Sequence, residues 1–248
     1  MSIRDKVAVI TGGSSGMGKA TAVELVKRGA KVVINGRREQ ALAEAAKEID
    51  PSGDNVSYVA GDVADPNTAD RLIGEALKRF GRMDTLVNNA GIFIAKPFTE
   101  YTEADFAAIL STNLAGYFHV TRRAVAEMLK QGAGHIVNIT TSLVDQPIAG
   151  VPSVLASLTK GGLNAATKSL AIEYATRGIR VNAVSPGIIK TPMHAAETHG
   201  FLAKLHPMER MGDTNDIVEA ILYLESAGFV TGEILHVDGG QNAGFRAG

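Results

Sequence analysis

Apolar positions along the 248-residue chain fall into short continuous runs that alternate with longer, helically periodic stretches. Val7-Ala8-Val9-Ile10 is unbroken and largely β-branched, and predicts a buried strand. A glycine-rich segment follows at once. Over residues 19–28, Ala20, Val23 and Val26 then recur at three-residue spacing, with Ala22 and Leu25 widening the apolar face and Gly29 as the stop. Residues 31–35 read as a second strand and 38–49 as an Ala/Leu-faced helix ending before Pro51. A third strand spans 56–60, and Asp65-Pro66 opens a helix that runs to about Phe80. Residues 84–87 form a fourth strand leading into Asn88-Asn89-Ala90-Gly91, and Thr102 to Asp105 resembles a capping box. That box opens a long helix through Asn113 towards Lys130. The rest reads as strand 135–140, helix 155–175, strand 180–184, a helix containing 217–224, and strand 233–237.

Near-continuous apolar strands alternating with helices imply one α/β domain over residues 1–248, a parallel sheet covered on both faces. In such sheets ligands bind beyond the carboxyl ends of the strands, where the strand order reverses. The first strand, glycine turn and helix match the way proteins hold a pyrophosphate: glycines admit the anion to the backbone, and free N–H groups at the helix start face it. The spacing here is G-x-x-x-G-x-G, through Gly12, Gly16 and Gly18.

Composition narrows the partners. Formal net charge is −1 with no basic run, which argues against nucleic acid. There is no cysteine, hence no disulfide, thiolate metal site or cysteine nucleophile, and the histidines show no metal-type spacing. The N-terminus carries no signal-type apolar region and no apolar run approaches the ~20 residues a bilayer requires, so a cytoplasmic location without membrane association is expected.

Five motifs, in order, make the chain resemble the short-chain dehydrogenase/reductase family, and 3-oxoacyl-carrier-protein reductases within it. They are Thr11-Gly-Gly-Ser-Ser-Gly-Met-Gly18; Gly61-Asp62-Val63; Asn88-Asn89-Ala90-Gly91; Arg180-Val-Asn-Ala-Val-Ser-Pro-Gly187 with Thr191-Pro192; and Val230-Thr231-Gly232 with Val237-Asp238-Gly239-Gly240. The resemblance implies a doubly wound Rossmann fold, seven parallel strands in the order 3-2-1-4-5-6-7, and a bound nicotinamide dinucleotide. It assigns Gly12, Gly16 and Gly18 to the pyrophosphate, with Ser14, Ser15 and Met17 also binding the cofactor, Asp62 and Val63 to the adenine, and Asn89, Ala90 and Gly91 to the ribose. Pro186, Gly187, Ile188 and Thr191 fall to the nicotinamide, and Lys160 serves both cofactor and catalysis. Asn88 and Asn89 could equally brace the sheet.

Cofactor choice is read at the end of the second strand. The family's acidic position falls on uncharged Gly36, and Arg37 and Arg38 follow. Guanidinium groups match phosphate oxygens, so NADP(H) is favoured, with NAD(H) as the alternative.

The family's catalytic set is Asn, Ser, Tyr and Lys. Asn113 and Lys160 match it, but Ala156 stands four residues before the lysine, where tyrosine is expected. The serine maps to Ser142, with Thr141 second, and the loop 143–154 reads about two residues longer than usual. Tyr117 has a core-like setting, Ser157 lacks a base to relay to, and His194, in an expected substrate-lid segment at about 190–212, titrates in a useful range. A water beside Lys160 is the remaining proton source. Two functions stay open: an NADP(H)-dependent oxidoreductase acting on a partly apolar carbonyl/alcohol pair, or a dinucleotide-binding protein with a regulatory role. Small residues on the helix containing Ala156, Gly161, Gly162, Ala165, Ala166 and Ser169, with the family's habit of assembly, point to a homotetramer.

Overall fold

The computed structural model describes residues 3–244. Strands β1 (Val7–Ile10), β2 (Lys31–Gly36) and β3 (Val56–Ala60) alternate with helices α1 (Gly16–Lys27), α2 (Glu39–Ile49) and α3 (Pro66–Phe80). Next come β4 (Thr85–Asn88), α4 (Glu103–Leu110), α5 (Gly116–Gln131), β5 (Gly134–Ile139), α6 (Val154–Tyr174) and β6 (Ile179–Pro186). A short α7 (His199–Ala203), α8 (Thr214–Ser226) and β7 (Ile234–Val237) follow.

The seven strands form one parallel sheet in the order β3-β2-β1-β4-β5-β6-β7, as the motif resemblance implied. β1 lies inside the sheet, pairing Val9 with Val33 of β2 and Leu86 of β4. Successive side chains of a strand point to opposite faces, and the two cores follow from that. Ala8 and Ile10 pack with α1, α2 and α8, whereas Val7 and Val9 pack with α3 and α5. The chain leaves β1 towards β2 on one side and meets β4 on the other, so a crevice opens between the loops after β1 and β4.

Three local differences from the pattern reading have physical causes. α1 begins at Gly16 rather than Lys19, and its buried stripe is Gly18, Thr21, Ala22 and Leu25, not one centred on Ala20. The helix packs on the sheet beside α2 and α8, and Gly18 in its first turn lets the backbone approach the loop at Gly12. The long helix predicted through Asn113 is interrupted by a π-helical turn at Ser111–Ala115, whose wider winding leaves Asn113 1% exposed. α7 has too few residues for a periodic signal.

No described helix is long and apolar enough to cross a membrane.

Candidate active site

Thr11 and Asn89 join the carboxyl ends of β1 and β4. The Thr11 hydroxyl accepts hydrogen bonds from the backbone N–H groups of Asn89 and Ala90, each at 3.0 Å. In return, the Asn89 side-chain amide donates to the carbonyls of Thr11 and Gly12, each at 3.0 Å. A Cβ on Gly18 would sit 2.5 Å from the Gly12 oxygen and 2.6 Å from Asn89 Nδ2, so only glycine permits this brace. Gly12 itself has φ +66°, in the left-handed region. Asn88 turns to the sheet interior, donating to Thr121 Oγ1 at 2.9 Å and Asn138 Oδ1 at 3.0 Å.

Ser15 precedes α1 with an extended backbone (φ −159°) and no side-chain cap, and the first turn carries no acidic residue. The first N–H groups of α1 and the positive end of its dipole are therefore open to an anion. Ser14 lies beside the end of β2: a Cβ on Gly36 would stand 3.4 Å from its hydroxyl. Arg37 and Arg38 are exposed immediately beyond. Asn35 ties this strand end to the next, donating to the carbonyls of Val59 and Gly61. Asp62 is exposed and accepts from the Ala64 N–H at 2.9 Å, whereas the Val63 side chain is buried against Gly116.

Asn113 and Lys160 converge from different elements. Asn113 pairs with the backbone of Ile92 in both directions, its Oδ1 accepting from the N–H at 2.9 Å and its Nδ2 donating to the carbonyl at 3.1 Å. The same Nδ2 approaches Thr159 Oγ1 at 3.2 Å. Lys160 is 9% exposed and donates to the Ile139 carbonyl at 2.6 Å. A Cβ on Gly91 would come within 3.1 Å of Lys160 Nζ and 3.4 Å of Asn113 Oδ1, so both groups crowd this glycine. Burial pushes the Lys160 ammonium down to about 8.

Lys160 opens onto a cavity of 530 Å³ that also takes in Met17, Gly91, Ile139, Thr141, Ala156 and the strip 186–188. Ala156 is one helical turn from Lys160 and faces the same space. Thr141 and Ser142 diverge. Thr141 lines the cavity, whereas the buried Ser142 hydroxyl donates to Gln241 Oε1 at 2.6 Å. The reason is the extended backbone of Thr141 (φ −163°) before the 3-10 turn Ser142–Val144, which sends successive side chains to opposite sides. Among the other candidates, His194 also lines the cavity, with its imidazole pushed down by burial and then by His199. Ser157 donates to the Leu143 carbonyl at 3.1 Å. Tyr117 faces a separate void of 10 Å³, and burial pushes its phenol up to about 12.

The far wall is the strip Pro186, Gly187 and Ile188, continued by Thr191, whose methyl lies over the glycine loop 3.4 Å from where a Gly16 Cβ would be. Behind the strip stands His206, which the sequence pattern does not single out. It is 2% exposed, its Nε2 accepting from the Ile188 N–H at 2.9 Å and its Nδ1 lying 3.1 Å from the Leu202 carbonyl. Thr11 carries one sequence signal for its bracing role, its place directly before the glycines. Among the described residues no cluster of His, Asp and Glu could hold a metal ion.

Residues 12–242 match the family described as enoyl-(acyl carrier protein) reductase. The 3-oxoacyl-[acyl-carrier-protein] reductase of Vibrio cholerae is 37% identical, over 97% of this chain and 99% of its own. Among solved structures, ElxO with NADP bound superposes with a TM-score of 0.90 at 34% identity, covering 96% of this chain and 99% of its own. The 3-ketoacyl-(acyl-carrier-protein) reductase of Brucella melitensis complexed with NADH gives 0.91 at 34% identity, over 97% of this chain and 100% of its own.

Proposed function

The chain belongs to the short-chain dehydrogenase/reductase family, and on that premise we propose that it is an NADP(H)-dependent oxidoreductase of carbonyl/alcohol pairs with an altered proton-transfer site. The observation that carries this reading is Lys160: a buried ammonium, oriented by Ile139 and flanked by Asn113, opens onto a cavity walled by the strip 186–188.

The residues fit a dinucleotide. The uncapped N-terminus of α1 and the close approach at Gly12 and Gly18 form a cradle for a pyrophosphate. Asn89 holds that loop in shape, Asp62 and Val63 flank the adenine, and Ala90, Gly91 and Lys160 take the nicotinamide-side ribose. Pro186, Gly187, Ile188 and Thr191 bed the nicotinamide. Arg37 and Arg38 supply the guanidinium groups for a 2′-phosphate, with no carboxylate at the strand end to repel it. Bound there, NADPH supplies the hydride.

The protein's own groups supply orientation and the proton. Thr141 Oγ1, on the cavity wall, donates a hydrogen bond to the substrate carbonyl, a role that Ser142 gives up by bonding Gln241. Ala156 can neither donate nor accept, so a water fills the space above it and relays a proton from Lys160. His194, on the cavity lining, is the competing donor. The segment 190–212 closes over the substrate, and its Met193, Phe201 and Leu202, facing Phe93 and Leu143, select a partly apolar body.

Monitoring NADPH consumption over a panel of ketones tests the reading. Slow turnover that Lys160→Met abolishes and His194→Gln leaves intact supports it. Normal NADPH binding without turnover in either the unmodified protein or Ala156→Tyr favours the second reading, a dinucleotide-binding protein, for which the alanine at position 156 is the specific observation.

A further inference from the structure

We propose that His206 is a positioning residue that locks the cavity-lining strip 186–188 to α7, a role that rests on the dinucleotide reading above insofar as the strip receives the nicotinamide. Two facts on opposite sides of the imidazole carry it. Nε2 accepts from the Ile188 N–H at 2.9 Å, and Nδ1 lies 3.1 Å from the carbonyl of Leu202, on α7. Ile188 and Leu202 both line the 530 Å³ cavity. A single neutral tautomer, protonated at Nδ1 and bare at Nε2, makes both bonds. The contact is close enough to dictate the neighbouring residue: a Cβ on Gly187 would fall 2.8 Å from His206 Nε2 and 2.9 Å from Asp238 Cα. His206 therefore packs directly against the strip at Gly187 as well as bonding to it at Ile188.

The bond to Ile188 depends on an unprotonated Nε2. An imidazolium would set an N–H donor against the Ile188 N–H, and the strip would be released. Burial holds the ring below its ordinary range, and the Leu202 and Ala203 carbonyls oppose this. Asp238, at the end of β7, raises it further and Arg210 lowers it. On the cavity behind the ring, Asp216 is paired with Arg210 at 2.8 Å and His236 with Asp145 at 3.0 Å. At neutral pH the lock is closed. It opens as pH falls below the usual imidazole range.

Hydrogen exchange at the Ile188 amide in the cofactor-free protein and NADPH affinity by fluorescence, both across pH 4.5–8, test the lock. In the unmodified protein Ile188 protection and NADPH affinity fall together at the acid end. His206→Gln, which keeps an acceptor near the Nε2 position, retains neutral-pH affinity and loses the acid-side decline. His206→Leu, which leaves a buried donor without a partner, weakens NADPH about tenfold throughout. Unchanged Ile188 protection at low pH, after correction for intrinsic exchange, overturns the proposal, as does a His206→Gln protein that keeps the unmodified pH dependence. Failure of the unmodified protein to bind NADPH at any pH removes the dinucleotide reading instead, and the exchange measurement still decides the role of His206.

Discussion

Ala156 and Lys160 stand one turn apart on α6, facing one cavity, and between them they define the chemistry to be tested. A tyrosine phenol ordinarily ionises near pH 10, and a neighbouring ammonium eases that. On the proposed reading the phenol's share of general acid–base assistance, ~10²–10⁴ in rate, is lost and only the relay from Lys160 remains. We expect weak ketone turnover in the unmodified protein and a rise in Ala156→Tyr, measured as NADPH consumption. Steric exclusion by Leu143, Val151 and Pro152, which line the same cavity, is what would prevent the rise. Lys160 carries its own signature: held at about 8 by burial, it loses its proton as pH rises through that value. Carbonyl reduction should therefore decline above about pH 8, and a flat profile to pH 9.5 would remove Lys160 as the proton source. At the other end of the cradle, Arg37→Ala should narrow the preference for NADPH over NADH by about 1.5 kcal/mol. The low end of the range for a charged hydrogen bond applies because Arg37 is exposed. Equal affinities for the two nucleotides in the unmodified protein would remove the 2′-phosphate assignment.

Elements are joined at the opposite end of the sheet by a buried polar network, far from the cavity. Glu225 of α8 accepts from Lys6 at 2.7 Å and Thr85 of β4 at 3.0 Å, and pairs with His135 Nδ1 of β5 at 2.5 Å. Asn182 of β6 stands 3.1 Å from the other nitrogen of His135. Burial works against a charged Glu225, but a hydrogen bond from the neutral His135 ring at Nδ1 and the Lys6 ammonium outweigh it and hold the carboxyl below its ordinary range. Burial pushes His135 down against the pull of Glu225. The sign follows from the unfolded values. Glu225 contributes stability that is complete above about pH 4.5 and lost as pH falls towards 2. His135, kept neutral in the fold, adds an acid-side penalty that begins below about pH 6.5. Urea unfolding at pH 7, 5 and 3.5 should thus show a steady loss, steepest in the last interval. Glu225→Gln should cost about 3 kcal/mol at pH 7, because it strips a buried pair of one partner, and should flatten the acid decline. An unchanged decline would mean that other carboxylates set it.

Over the whole molecule, the outer face of α6 exposes Gly162, Ala165 and Ser169 between Leu158, 58% exposed, and Ile172, 81% exposed. Small side chains between apolar ends allow a second helix to approach closely, and Phe118 extends the apolar surface onto α5. We expect light scattering at micromolar concentration to give four times the 26.0 kDa chain mass, and Ala165→Arg to reduce it. A 26.0 kDa species would leave the face as monomer surface.

Strand and helix order, the parallel sheet and the glycine cradle were legible in the sequence, because each rests on local periodicity or on a backbone geometry that only glycine permits. Val7–Ile10 could be read as a buried strand from its own four residues. The same locality explains the reach to Asn113 and Lys160, whose motifs mark them one element at a time. What tertiary structure alone decided is direction and partnership. Thr141 rather than Ser142 faces the cavity because the backbone is still extended at Thr141 and turns only after it, and no pattern of residue types records where that change falls. Asn113 is drawn inward by a π turn that apolar spacing reads as continuous helix. His206 has no motif at all: it matters because the strip 186–188 and Leu202, distant along the chain from one another, meet its two nitrogens only once the sheet and α7 are in place.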